Sequence, residues 1–229
     1  DRKLRVYFGT GRLMIENDKF NPTADNNAFY CIVMKQDKKG IYYPTVANDP
    51  VVDITAYDTK DKLQGAYGGE KGVYNTFSKK GANWKFSFGE LALKERIVTD
   101  PTCVAGVVLF TSFNPKDPFS SRLCGASKLY AVDYITGVEA THRGMPVIVF
   151  DKGKEGAESR EAVEHSEHPR YADLAGDGIA WAPQVVHSTD ASKPGTSVVI
   201  RNADGTTPLQ VIPLNINNKT MWLKTWKRE

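Results

Sequence analysis

The residues best suited to chemistry are few, and they are scattered along the chain. Glu164-His165-Ser166-Glu167-His168 sets two imidazoles three residues apart with carboxylates around them. On a helix His165 and His168 share a face, a spacing that suits a transition metal, whereas on a polar surface segment the same pair is simply solvated. Asp173-Leu174-Ala175-Gly176-Asp177-Gly178 has the outline of a calcium loop. A loop of the EF-hand type needs oxygen ligands at its third and twelfth positions. Counted from Asp173 these are Ala175 and Gln184, so the segment reads as a tight turn before a strand. Asp173, Asp177, His165 and His168 therefore stand as metal candidates without a complete ligand set. Asp18, Asn21, Asp25 and Asn26 gather further oxygens in the first long loop.

Gly9-Thr10-Gly11 follows an apolar run but lacks a third glycine and a following helix, so a dinucleotide site is excluded; its glycines read as a turn. No Ser/His/Asp constellation, GxSxG or HExxH occurs, and no catalytic residue is assigned. The three cysteines, Cys31, Cys103 and Cys124, form neither CxxC nor a Cys/His cluster, which argues against structural zinc and covalent haem. Asn218-Lys219-Thr220 is a glycosylation sequon that reads as a turn.

The elements that must position these residues are strands. Short runs rich in Val, Ile, Tyr, Phe and Thr fall at 4–8, 29–34, 51–56, 84–88, 104–112, 128–133, 146–150, 179–186, 197–200, 209–213 and 220–226, broken by turn residues such as Asn48-Asp49-Pro50 and Thr136-Gly137. Residues 58–80 read as a long polar excursion, and 155–167 as the best helix candidate on a surface insertion. With 229 residues, 41% hydrophobic and 25% charged, the chain is long and apolar enough for a sizeable core. A net charge of +3, with basic and acidic residues interspersed, gives no reason to expect nucleic acid. The longest apolar run, 104–110, is far short of the ~20 residues that span a bilayer. Many short strands with turn punctuation predict an all-β fold of the sandwich, barrel or propeller type.

Leu129-Tyr130-Ala131-Val132-Asp133-Tyr134-Ile135-Thr136-Gly137 looks like the strand-turn unit of quinoprotein-like propellers. It belongs to a longer order of motifs. Val6-Tyr7-Phe8-Gly9-Thr10-Gly11-Arg12 comes first, then Asn27-Ala28-Phe29-Tyr30-Cys31-Ile32, Trp84, and Lys94-Glu95-Arg96-Ile97-Val98-Thr99-Asp100-Pro101. The run 104–115, Cys124, the Leu-Tyr-Ala-Val-Asp unit, 178–186 and the terminal 224–229 follow. This order resembles the C-terminal part of the PilY family of type IV pilus biogenesis factors and tip adhesins. The resemblance spans residues 6 to 229, although 138–177 departs from the family pattern and the family's Asp-rich calcium loop has no counterpart here.

The resemblance implies a β-propeller-like fold, partial or modified, with quinoprotein-like blades and long surface loops. It implies one domain over residues 1–229, forming the C-terminal part of a larger precursor, at the cell surface or outside the cell. Calcium, if any, is expected upstream of residue 1, and no cofactor is expected within the chain. The implied partners are the upstream part of the precursor or a partner subunit, minor pilins, and a host or surface ligand. In such a secreted setting Cys103 and Cys124 are expected to form a disulfide, closing a loop worth about 3 kcal/mol in the chain-entropy model, the alternative being two unpaired thiols. Cys31 reads as a buried thiol. The expected role is a non-enzymatic binding platform in pilus assembly or adhesion. A structural propeller subunit of an envelope or filament complex is the alternative. A quinoprotein dehydrogenase fragment fits less well, since the chain has four tryptophans and no adjacent cysteines.

Overall fold

A computed structural model describes residues 3–11, 27–45, 49–67, 72–73, 75–88, 95–115, 125–143, 145–148, 170–174, 178–188, 195–203 and 209–216. It is mostly strand, 53% against 10% helix, in several sheets of which none closes into a barrel. The all-β expectation therefore holds.

In the first sheet β1 (Leu4–Gly9) pairs antiparallel with β2 (Ala28–Gln36). The far half of β2 turns back into β3 (Tyr42–Pro44), and its near half pairs with β5 (Asn83–Ser87). Strand β4 (Val51–Asp53) lies parallel to β5. The second sheet is an antiparallel meander of β6 (Thr102–Val104), β7 (Val107–Pro115), β8 (Gly125–Asp133) and β11 (Tyr171–Asp173). A small hairpin, β9 (Thr141–His142) and β10 (Met145–Pro146), comes between β8 and β11 in the chain. The third sheet is β12 (Gln184–His187), β13 (Thr196–Ile200) and β14 (Gln210–Leu214).

The middle sheet is covered on both sides. Side chains alternate along a strand, so Val108, Phe110, Tyr130 and Val132 face one way and join Phe29, Cys31, Trp84 and Phe86 of the first sheet. Leu109, Leu129 and Ala131 face the other way and join Val198, Ile200, Ile212 and Leu214 of the third. Burial on two faces explains why β7 reads as an unbroken apolar run rather than an alternating one.

That run misleads at its start. What reads as one strand over 104–112 is two, because Ala105 and Gly106 both take positive φ, 46° and 82°, and reverse the chain between β6 and β7. Two-residue hairpin turns need that conformation, and Ala-Gly is a weaker signal for it than Asn-Gly. Within the excursion at 58–80 the described residues include helical elements. These are α1 (Lys60–Tyr67), which buries Leu63, and a π-helical turn (Asn75–Lys80) that buries Phe77. Strand β3 is an addition, and the run 179–186 is strand only from Gln184 on. The helix expected at 155–167 and the strand at 220–226 lie outside the described residues. Among the described residues, no helix is long and apolar enough to cross a membrane.

Candidate functional site

The most concentrated chemistry lies between the first two sheets, around a buried carboxylate. Glu95 precedes a short segment that bridges β7 through Arg96 and Phe113, and it is 1% exposed. Its Oε1 accepts hydrogen bonds from Ser112 Oγ at 2.6 Å and Tyr130 Oη at 2.7 Å. Its Oε2 accepts one from Lys128 Nζ at 2.9 Å. The donors come from adjacent strands for a simple reason. Ser112 pairs directly with Lys128 and Phe110 with Tyr130, so all four sit on one face of the β7–β8 ladder.

The electrostatics follow from the enclosure. Burial works against the Lys128 charge, but the Glu95 carboxylate overrides it and holds the ammonium above its ordinary pKa. Lys128 also lies over the Tyr171 ring, 4.2 Å from its centroid. Burial, reinforced by the charge of Glu95, pushes the Tyr130 phenol well above its usual value.

A second charged group is pinned nearby. Arg170 precedes β11, is buried, and donates from Nη2 to Ile54 O at 2.8 Å and to Tyr57 O. Its guanidinium lies 4.6 Å from the centre of the Phe86 ring. Burial lowers its pKa to about 10, against the opposing pull of Asp58. Arg170 thus joins the segment after β4 to the edge of the middle sheet.

Trp84 makes a third link. Its Nε1 donates to Ile135 O at 2.8 Å across the boundary between the sheets. Ile135 belongs to the turn after β8, where Asp133 Oδ1 accepts from Ile135 N, Thr136 N and Thr136 Oγ1 at 3.0, 2.8 and 2.8 Å. Gly137 closes that turn with φ 70°, and a Cβ there would come within 2.7 Å of the Trp84 ring. Asp133 and Thr136-Gly137 of this turn thus form a seat for an indole.

Glu95, Ser112, Lys128 and Tyr130 are taken up by one another, whereas Arg170 keeps a buried Nε without a hydrogen-bond partner. Ser112 is 2% exposed and its hydroxyl is given to Glu95, so no solvent-facing nucleophile is generated. The arrangement can hold strands in register, and it leaves the carboxylate without an open side.

The residues singled out in the sequence sit elsewhere. Asp173 ends β11 opposite Lys128 and is exposed. Asp177, His165 and His168 lie outside the described residues, as do Asp18, Asn21, Asp25, Asn26 and Asn218. Among the described residues no three His, Cys, Asp or Glu side chains converge on a point where an ion would sit. Cys103 is exposed on β6 with a free thiol, while Cys124, its expected partner, lies outside the described residues. Cys31 is fully buried and free, and burial pushes its thiol up to about 12, against the opposing influence of Arg5. Gly9 serves close approach rather than a turn: a Cβ there would meet Ile97 at 2.3 Å.

The Glu95 cluster was missed, although a trace of it is legible. Ser112 and Lys128 interrupt otherwise apolar strand faces, and a polar pair on a buried face calls for a charged partner. Comparison with family models, curated proteins and solved structures finds no match to this chain.

Proposed function

We propose that the stacked sheets are blades of a propeller-like domain, and that the chain is part of a cell-surface, type IV pilus-associated protein acting as a binding platform in assembly or adhesion. The process rests on the order of motifs from Val6 to Glu229. The platform rests on one observation: the stack continues the same chemistry onto both of its outer faces. On the first sheet Leu4, Val6 and Phe8 are 47%, 42% and 41% exposed and lie beside Tyr30, Ile32 and Met34. On the third, Val186 and Val211 are exposed beside Ser197 and Val199. Apolar strips on consecutive strands are what one blade offers the next. The four-stranded meander of the middle sheet and the Trp84 seat on the neighbouring turn fit blade-to-blade stacking. The occupants of the outer faces are further blades from the same precursor or from a partner subunit. The saturated Glu95 cluster fits a non-enzymatic role.

Disrupting the gene in its own host tests the process. Reduced surface pili or adhesion is expected, and normal piliation and adhesion would refute it. Light scattering and hydrogen exchange on the purified chain test the platform. Self-association, or rapid exchange in β1 and β12, is expected. A stable monomer with both strands protected would show that the stack needs no neighbour.

A further inference from the structure

The β2–β3 hairpin leaves the body of the first sheet. Strand β1 stops at Leu4 opposite Met34, and β5 pairs with β2 only from Ala28 to Cys31. Residues 35–43 therefore form a two-stranded ribbon without a third strand, and every one of them is exposed. The ribbon is nonetheless preorganised. At its tip Asp37 Oδ1 accepts from Lys39 N and Ile41 N, both at 2.8 Å, and Asp37 N donates to Ile41 O at 2.9 Å. At its base Thr45 is buried and donates to Asn83 Oδ1 at 3.1 Å, while Asn83 Nδ2 donates to Asp49 O at 2.8 Å.

The side chains it carries are unusual for a projection into water. Ile41, Tyr42 and Tyr43 are 61%, 49% and 44% exposed. Lys35, Lys38 and Lys39 flank them; Lys35 is paired with Asp49 at 3.0 Å, and the acid at the tip, Asp37, is taken up by the turn. We infer that this hairpin is an interfacial anchor that seats on an anionic lipid surface. Ile41 and the tyrosine rings would enter the boundary between headgroups and acyl chains, and Lys38 and Lys39 would meet headgroup phosphates. A convex ribbon cannot enclose a small ligand, which needs a concavity. It also lacks the groove along which single-stranded nucleic acid stacks. An apolar tip with phenols behind it and cations beside it matches the layering of a bilayer interface, where Tyr is enriched and Lys is drawn to anionic lipid.

Flotation of the full chain with vesicles of phosphatidylcholine, alone or mixed with phosphatidylglycerol, tests the inference. Binding is expected on the mixed vesicles and little on the neutral ones. The double variant Lys38→Gln/Lys39→Gln should weaken it about 30-fold, roughly fivefold per lysine. Ile41→Ser/Tyr42→Ser should weaken it at least about tenfold. Met145→Ser, a comparably exposed apolar side chain on β10, should leave binding unchanged. Because the altered side chains are exposed, thermal unfolding of the variants should match that of the wild type. As a second readout, the emission that Ile41→Trp adds to that of the four native tryptophans, taken as the difference from the wild type, should shift to the blue on mixed vesicles. Absence of binding to mixed vesicles, equal binding to both vesicle types, or full binding by both double variants would overturn the anchor. So would an unshifted Ile41→Trp emission, or tighter binding to a single-stranded oligonucleotide than to the vesicles.

Discussion

The two faces of the middle sheet are built from the same strands by different chemistry. The face toward the first sheet is aromatic and polar. Phe110 stacks on Phe29 at 3.9 Å and on Tyr130 at 4.7 Å, Trp84 and Arg170 bind across it, and Glu95 ties β7 to β8 on it. The face toward the third sheet is aliphatic, with Leu109, Leu129 and Ala131 meeting Val198, Ile200 and Ile212. Its polar links are hydroxyl to main chain: Ser127 Oγ donates to Gly178 O at 2.8 Å and Thr111 Oγ1 to Ala180 O at 3.2 Å. Aliphatic burial is non-directional, so it holds two sheets together without setting their angle. Rings, an indole N–H and a buried ion pair are directional. The first boundary is thus the one whose geometry is specified by side chains.

If so, damage to the first boundary should cost more. Trp84→Ala removes a fully buried indole and its hydrogen bond to Ile135, and should destabilise the chain by about 3–5 kcal/mol in urea unfolding. A loss below about 1 kcal/mol would mean that the indole is not a joint between the sheets.

Glu95→Gln keeps the shape but strands Lys128, and about 3 kcal/mol should be lost, at the low end for a broken buried pair because Lys128 is 18% exposed. Adding Lys128→Met should restore part of it. If the double variant is as unstable as the sum of the singles, the pair is not coupled.

The directional face should also be the alkali-sensitive one. Cys31, Tyr130 and Lys128 all keep their protons in the folded state beyond their ordinary values. The folded form then binds more protons than the unfolded one, so stability falls as pH rises above the ordinary thiol value of 9.0. Each such group contributes up to about 1.4 kcal/mol per pH unit. Arg170, lowered to about 10, pulls the other way only above that pH. The urea midpoint should therefore drop between about pH 8 and pH 10, and Cys31→Ala should flatten the first part of the fall. A midpoint constant over that range would contradict this account.

The smallest effect belongs to the aliphatic face. Ile200→Val should cost about 0.5–1.5 kcal/mol and leave the pH profile untouched. A cost equal to that of Glu95→Gln would erase the difference between the boundaries.

What the sequence determined by itself is the local part of this protein. Strand runs at 4–8, 29–34, 84–88 and 128–133 are each set by β-branched and aromatic residues ended by turn formers, and each is found close to where it was read. The turn at Asp133-Thr136-Gly137 is equally local, since an Asp that bonds its own following amides needs no distant partner. Other features were decided by tertiary structure. The hairpin at Ala105-Gly106 is hidden inside an apolar run, because both strands are buried and neither alternates. Leu63 and Phe77 anchor α1 and the π-helical turn by reaching the core beneath them. The Glu95 cluster joins residues 17 to 35 positions apart, and Arg170 reaches carbonyls more than 110 positions away. No spacing in the chain encodes such meetings, because they exist only once one sheet has been laid on another and a buried charge must find every partner it needs.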